Sequence, residues 1–165
     1  MESTTNKNYW MMLCNPNKWF GNKNNKNAKV NDILFNLTEY SWTTGRNSFS
    51  DIKEGDLGII KVGNDHRSIA CRTLNDEVVD KLAAGIYAII EFIEIDKTVL
   101  HNDENGISRV HFKVIRNLYK DEKIINKYNT EILLKNNFKS FSSKKIPDEI
   151  FISINEFIKD GGEPI

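Results

Sequence analysis

The longest candidate for an apolar span, Gly85-Ile-Tyr-Ala-Ile-Ile-Glu-Phe-Ile, is nine residues long and already carries Glu91. That is strand length, well short of the ~18–20 apolar residues of a membrane helix. The other apolar runs are shorter still and end at turn-forming residues, so the chain reads as a set of short strands. Asn8 to Cys14 stops at Asn15-Pro16, Leu57 to Gly63 follows the turn Lys53-Glu54-Gly55-Asp56, and Gly85 to Ile95, rich in β-branched and aromatic residues, is the clearest strand. Arg109 to Leu118 alternates, with Val110, Phe112 and Val114 on one side and His111, Lys113 and Ile115 on the other, as a half-buried strand does. Val30, Ile33, Leu34 and Leu37 recur at helical spacing, which predicts a helix over Val30–Tyr40 and a turn-rich loop from Ser41 to Asn47. Short helical pieces are expected at Asp76–Leu82 and within Ile124–Phe141. A terminal helix is expected over Ile154–Lys159, with Ser153 as its N-cap.

These elements predict an α+β domain, a small sheet or barrel with peripheral helices. The length of 165 residues suits one domain over 1–165, with 1–8 as a disordered tail. The polar N-terminus has no apolar signal core, which predicts a cytoplasmic protein without a membrane partner. Cys14 and Cys71 are far apart and are read as free thiols. His66, His101 and His111 have no ligand spacing with either, so no metal and no cofactor is expected. No phosphate-binding glycine loop or deaminase signature occurs, and Asp121-Glu122-Lys123 reads as a solvated turn rather than a nuclease triplet. The chain is therefore expected not to be an enzyme.

Lys and Arg total 23, as do Asp and Glu, so the net charge is zero. The balance is uneven along the chain. Residues 1–29 hold five Lys against one Glu, and 109–145 hold ten basic residues against three acidic. If the fold sets these segments side by side, the protein gains one basic face suited to a phosphate backbone.

All three tryptophans lie in the first 42 residues. Trp10 fits a core position as well as a binding one. Trp19 lies in a Lys- and Asn-rich loop. Trp42 stands among Ser41, Thr43, Thr44, Gly45, Arg46 and Asn47, the parts needed to hold a flat heterocycle. The indole would stack, the amides would read a base edge, and Arg46 would take a phosphate.

At these residues the chain resembles the EVE domains and the related YTH domains. Tyr9-Trp10-Met11-Met12-Leu13 with Asn15-Pro16 is similar to their opening strand. Trp42 to Asn47 resembles their W-x-x-x-R-N stretch, and Ile52 to Leu57 their Gly-Asp turn. Gly85 to Glu91 resembles their central strand, with Ala88 in place of a second glycine, and Val110 to Ile115 the strand after it. The resemblance implies a PUA-like fold, a small twisted β-barrel with flanking short helices. It also implies a non-catalytic reader that flips a modified base of DNA into an aromatic pocket. Some such domains serve as the DNA-recognition part of McrB-type modification-dependent restriction systems, which implies a nuclease or AAA+ motor as a partner. A reader of modified RNA, and a domain for a small nucleotide-like ligand or an enzyme accessory domain, are the alternatives.

Carried over by position, Trp42 is the stacking residue, and Thr43 faces the base edge through its backbone. Asn15 lies near the Watson–Crick edge, and Arg46 and Asn47 hold the pocket or touch phosphate. The YTH readers bring a second tryptophan from the loop after the central strand, whereas Asp96 to Ser108 contains no aromatic residue. Trp19, Phe20 or Trp10 would have to form the opposite wall. Lys18, Lys23 and Lys144, from the basic segments, join Arg46 as candidate phosphate contacts.

Overall fold

The computed structural model describes residues 7–17, 28–43, 52–96, 109–126 and 144–159. The strands are β1 (Tyr9–Cys14), β2 (Glu39–Thr43), β3 (Leu57–Val62), β4 (Thr73–Leu74), β5 (Glu77–Val78), β6 (Gly85–Asp96), β7 (Arg109–Asn117), β8 (Ile125–Asn126) and β9 (Lys144–Ile146). The helices are α1 (Lys29–Phe35) and α2 (Asp148–Lys159). Seven strands form one sheet in the order β2-β7-β6-β3-β1-β9, with β8 beside β6. β1 and β3 run parallel, and the other pairs are antiparallel.

The domain is α+β, as expected, but the sheet is not closed into a barrel. Among the described residues no ladder joins β2 to β9. Burial explains the open form. A small closed barrel buries one face, whereas this sheet carries an apolar cluster on each. On one face Trp10, Met12, Ile60, Ile90, Phe92 and Phe112 pack with Val30 and Leu34 of α1. On the other, Met11, Ile59, Ile86, Ile89 and Leu118 pack with Ile150, Phe151 and Ile154 of α2. The rings of Tyr9 and Phe151 stack there at 4.4 Å. Sheets covered on both faces contain continuous apolar strands, which is why Ile86–Ile90 does not alternate.

The ladders of β6 shift register at three points, one of them where Ile89 pairs with Arg116 but Ile90 with Val114, leaving Ile115 of β7 extra. Ile60 pairs with Ala88 but Lys61 with Ile86, so Tyr87 is an extra residue. Phe92 pairs with Phe112 but Glu94 with His111, so Ile93 is another. Each bulge bends the strand and raises its local twist. The turn before β3 is also specified. Gly55 has φ +93 and donates to Phe92 O at 2.8 Å, while Asp56 N–H donates to Lys53 O at 3.1 Å. Gly58 lies so close to Trp10 that an added Cβ would meet Trp10 O at 2.8 Å.

Several expectations are corrected. α1 ends at Phe35, where the Asn36 side chain donates to Asp32 O and Oδ1 and so competes with the helix ladder. The chain then enters β2, so Ser41–Thr43 is strand rather than loop. Asp76–Leu82 is not helical. A 3-10 turn at Ala70–Arg72 leads into the β4–β5 hairpin, whose Asn75 and Asp76 take φ +53 and +67. Positive φ at both central residues suits a two-residue hairpin turn, and Asn and Asp tolerate it. α2 starts at Asp148 after Pro147, not at Ile154, so Ser153 lies inside the helix rather than capping it, and acidic Asp148 and Glu149 fall in the first turn. Ile125–Asn126 is a short strand, and the rest of the expected helical region lies outside the described residues. Of the presumed tail, Asn8 is held through its N–H by Asp56 Oδ1 at 3.3 Å.

Candidate functional site

The parallel strands β1 and β3 end together, with Cys14 opposite Val62 and Gly63 N–H donating to Cys14 O at 3.0 Å. Two short segments leave this end side by side, Asn15-Pro16-Asn17 and Asn64 to Arg67. Carboxyl ends of parallel strands are recurrent ligand sites because the chain diverges there. Asn17 ties the two segments together. Its Oδ1 accepts from His66 N–H at 2.6 Å, and its Nδ2 donates to Asn64 O at 3.0 Å. Asn15 Oδ1 accepts from Asn17 N–H at 2.9 Å and from Asn17 Nδ2 at 2.8 Å. Asn15, Asn64 and His66 are exposed.

An ion pair lies beneath this rim. Asp65 and Arg67 stand two residues apart in extended chain, so both turn inward while His66 turns out. Their side chains are each 1% exposed. Arg67 Nε donates to Asp65 Oδ1 at 2.8 Å, and Arg67 Nη2 donates to Asp65 Oδ2 and to Asn31 Oδ1 of α1 at 2.9 Å. Leu82 N–H donates to Asp65 Oδ2 at 2.8 Å. The pair thus joins the β3 exit, α1 and the segment before β6. Burial pushes the Asp65 carboxyl up. The hydrogen bonds from Arg67 and the Leu82 amide, with the Arg67 charge, outweigh it and leave the group below its ordinary value. Cys14 is buried, and burial drives its thiol well up, only partly offset by the Arg67 charge.

The fates of the expected site residues differ. Asn15 is on the exposed rim. Trp10 is corrected to a core residue, 1% exposed, with its Nε1–H donating to Asp56 Oδ2 at 2.9 Å. It offers no open ring face for a base. Trp42 and Thr43 lie in β2, their backbones opposite Val110 and Arg109. Lys144 lies in β9, opposite Met11. Lys18, Trp19, Phe20, Lys23, Arg46 and Asn47 are outside the described residues.

Among the described residues no ladder brings Asn15 and Trp42 together. Asn15 follows the end of β1, which neighbours Val62 and then Gly85, whereas Val110, opposite Trp42, pairs with Ile95 at the far end of β6. The second basic segment is also divided. β7 and β9 are separated in the sheet by β6, β3 and β1. Lys113 faces Glu91 at 3.5 Å and Arg116 faces Asp121 at 3.1 Å, so part of its charge is locally balanced. The described strands therefore do not assemble it into one basic face.

Sequence reasoning passed over Asn17, Asn31, Asp65, His66 and Arg67. Asp-x-Arg in a polar segment reads as solvated charge. The available signal was the extended chain between strands, where residues two apart share a side.

No protein-family model matches the chain, and no curated protein matches it. Among the described residues no group of three His, Cys, Asp or Glu is placed to hold a metal ion. No described helix is long and apolar enough to cross a membrane.

Proposed function

We propose that this chain is a PUA-like module of the EVE type that reads a modified nucleobase in DNA and performs no chemistry itself. One observation carries the reading. The opening strand with Asn15-Pro16, the Gly-Asp turn and the Gly85–Glu91 strand, scattered over about eighty residues of sequence, lie on the three adjacent strands β1, β3 and β6. Asn15 reads the base edge from the rim, and Trp42 on β2 stacks on the base. Joining the two requires the sheet to curl, and the bulges at Tyr87 and Ile93 supply bends in β6.

The energetics suit discrimination by polar groups. Flipping a base costs a few kcal/mol. Stacking on an aromatic returns ~1–3 kcal/mol. A buried methyl adds only ~0.8 kcal/mol. Sharp selection therefore needs donors and acceptors that the wrong base leaves unpaired. A nuclease or AAA+ motor would act on what the module selects, as in a modification-dependent restriction or defence system. The test is Trp42→Ala. The reading expects loss of preference for a modified over an unmodified oligonucleotide with an unchanged melting temperature. Retained preference removes Trp42 from the site.

A further inference from the structure

A backbone N–H can only donate, so two such groups determine how the rim amides are oriented. His66 N–H donates to Asn17 Oδ1 at 2.6 Å, which turns Asn17 Nδ2 toward Asn64 O and Asn15 Oδ1. Asn17 N–H donates to the same Asn15 Oδ1 at 2.9 Å. Neither amide can be exchanged end for end without setting a donor against a donor. Asn15 Oδ1 is thereby occupied twice. Its Nδ2 is left on an exposed residue, and no described residue accepts from it. His66 cannot easily turn its N–H away, because the flanking Asp65 and Arg67 are anchored inside.

We infer that Asn17 is a positioning residue that holds Asn15 as a donor-only contact, so the rim accepts a base edge presenting a ring nitrogen or carbonyl oxygen. This rests on the nucleobase reading above. Asn17 touches no base itself and acts through Asn15. Asn17→Asp keeps the acceptor for His66 N–H but sets an anionic oxygen against Asn15 Oδ1. The residue-17 backbone N–H still holds that oxygen while the carboxylate repels it, so the Asn15 amide loses its single orientation and its outward donor is no longer fixed. Asn15→Asp keeps both bonds from Asn17 and replaces the outward donor by an acceptor.

The experiment titrates wild type, Asn15→Ala, Asn15→Asp, Asn17→Asp and the Asn15→Ala/Asn17→Asp double variant against the modified DNA oligonucleotide that wild type binds most tightly. Melting curves are recorded alongside. Asn17→Asp and Asn15→Asp should each weaken binding about tenfold, the scale of one lost hydrogen bond. Asn17→Asp should add nothing in the Asn15→Ala background. Equal losses from Asn17→Asp with and without the Asn15 side chain, or no loss from Asn15→Asp, would overturn the inference and leave the nucleobase reading standing. If Asn17→Asp does not fold, Asn15→Asp alone decides the donor polarity. Absence of wild-type binding to every modified oligonucleotide removes both.

Discussion

The indole N–H of Trp10 donates to Asp56 Oδ2 at 2.9 Å, across 46 residues of sequence. The same oxygen accepts Lys53 N–H at 3.0 Å, and Oδ1 accepts Asn8 N–H. One buried carboxylate thus closes the turn before β3 and fixes the start of β1. Asp56→Ala leaves the Trp10 indole N–H without it in a buried site and takes the acceptor from the part-buried Asn8 and Lys53 amides. The expected loss is about 3 kcal/mol, measured by urea unfolding, with a change in tryptophan fluorescence. A loss under ~0.5 kcal/mol, the range of an ordinary surface change, would mean that the turn is held by other contacts.

Gly58 is required by close approach. A Cβ there would lie 2.8 Å from Trp10 O and 3.2 Å from Phe92 Cε2. Neither neighbour can retreat easily, because one is ladder backbone and the other a core ring. Gly58→Ala should cost ~1–3 kcal/mol by overpacking, read as a lower melting temperature. Unchanged stability would mean that β1 and β3 separate freely.

The Asp65–Arg67 pair predicts an acid-sensitive fold. The Asp65 carboxyl titrates below 3.8 in the folded chain and near 3.8 when unfolded. Between those values the unfolded chain binds more protons, so stability rises with pH there. The contribution is complete above about 3.8 and is lost as pH falls through the folded value. Asp65→Asn should flatten this acid limb in chemical unfolding followed against pH. Arg67→Met strands a buried carboxylate and should cost ~3–5 kcal/mol at neutral pH. Asp65→Leu together with Arg67→Met should recover part of that. A double variant worse than the sum would contradict the pairing.

The main strands were legible in the sequence because their apolar runs end at strong turn signals. Observed β1, β3, β6 and β7 lie within a residue of the expected bounds. The α1–β2 boundary was not, since Leu37 continues the helical period while Asn36 has already turned the chain. Pairing was hidden as well. Nothing local announces that β1 and β3 run parallel or that β9 adds to β1. The site was half visible. Asn15 was marked by Pro16 after an apolar strand, but Asn17, Asp65 and Arg67 gain their roles only from partners up to 49 residues away. Trp10 and Trp42 carry the same ring, and the context that distinguishes them, Asp56 beneath one and β7 beside the other, is tertiary.

The most direct measurement is a binding titration against matched DNA duplexes. The panel holds unmodified DNA and DNA with 5-methylcytosine, 5-hydroxymethylcytosine, N4-methylcytosine or N6-methyladenine, with methylated and unmodified RNA alongside. A modified-base reader should bind at least one modified DNA about tenfold or more above its unmodified partner. Tighter binding of methylated RNA would move the reading from DNA to RNA. Equal affinity for every modified oligonucleotide and its unmodified partner would contradict it.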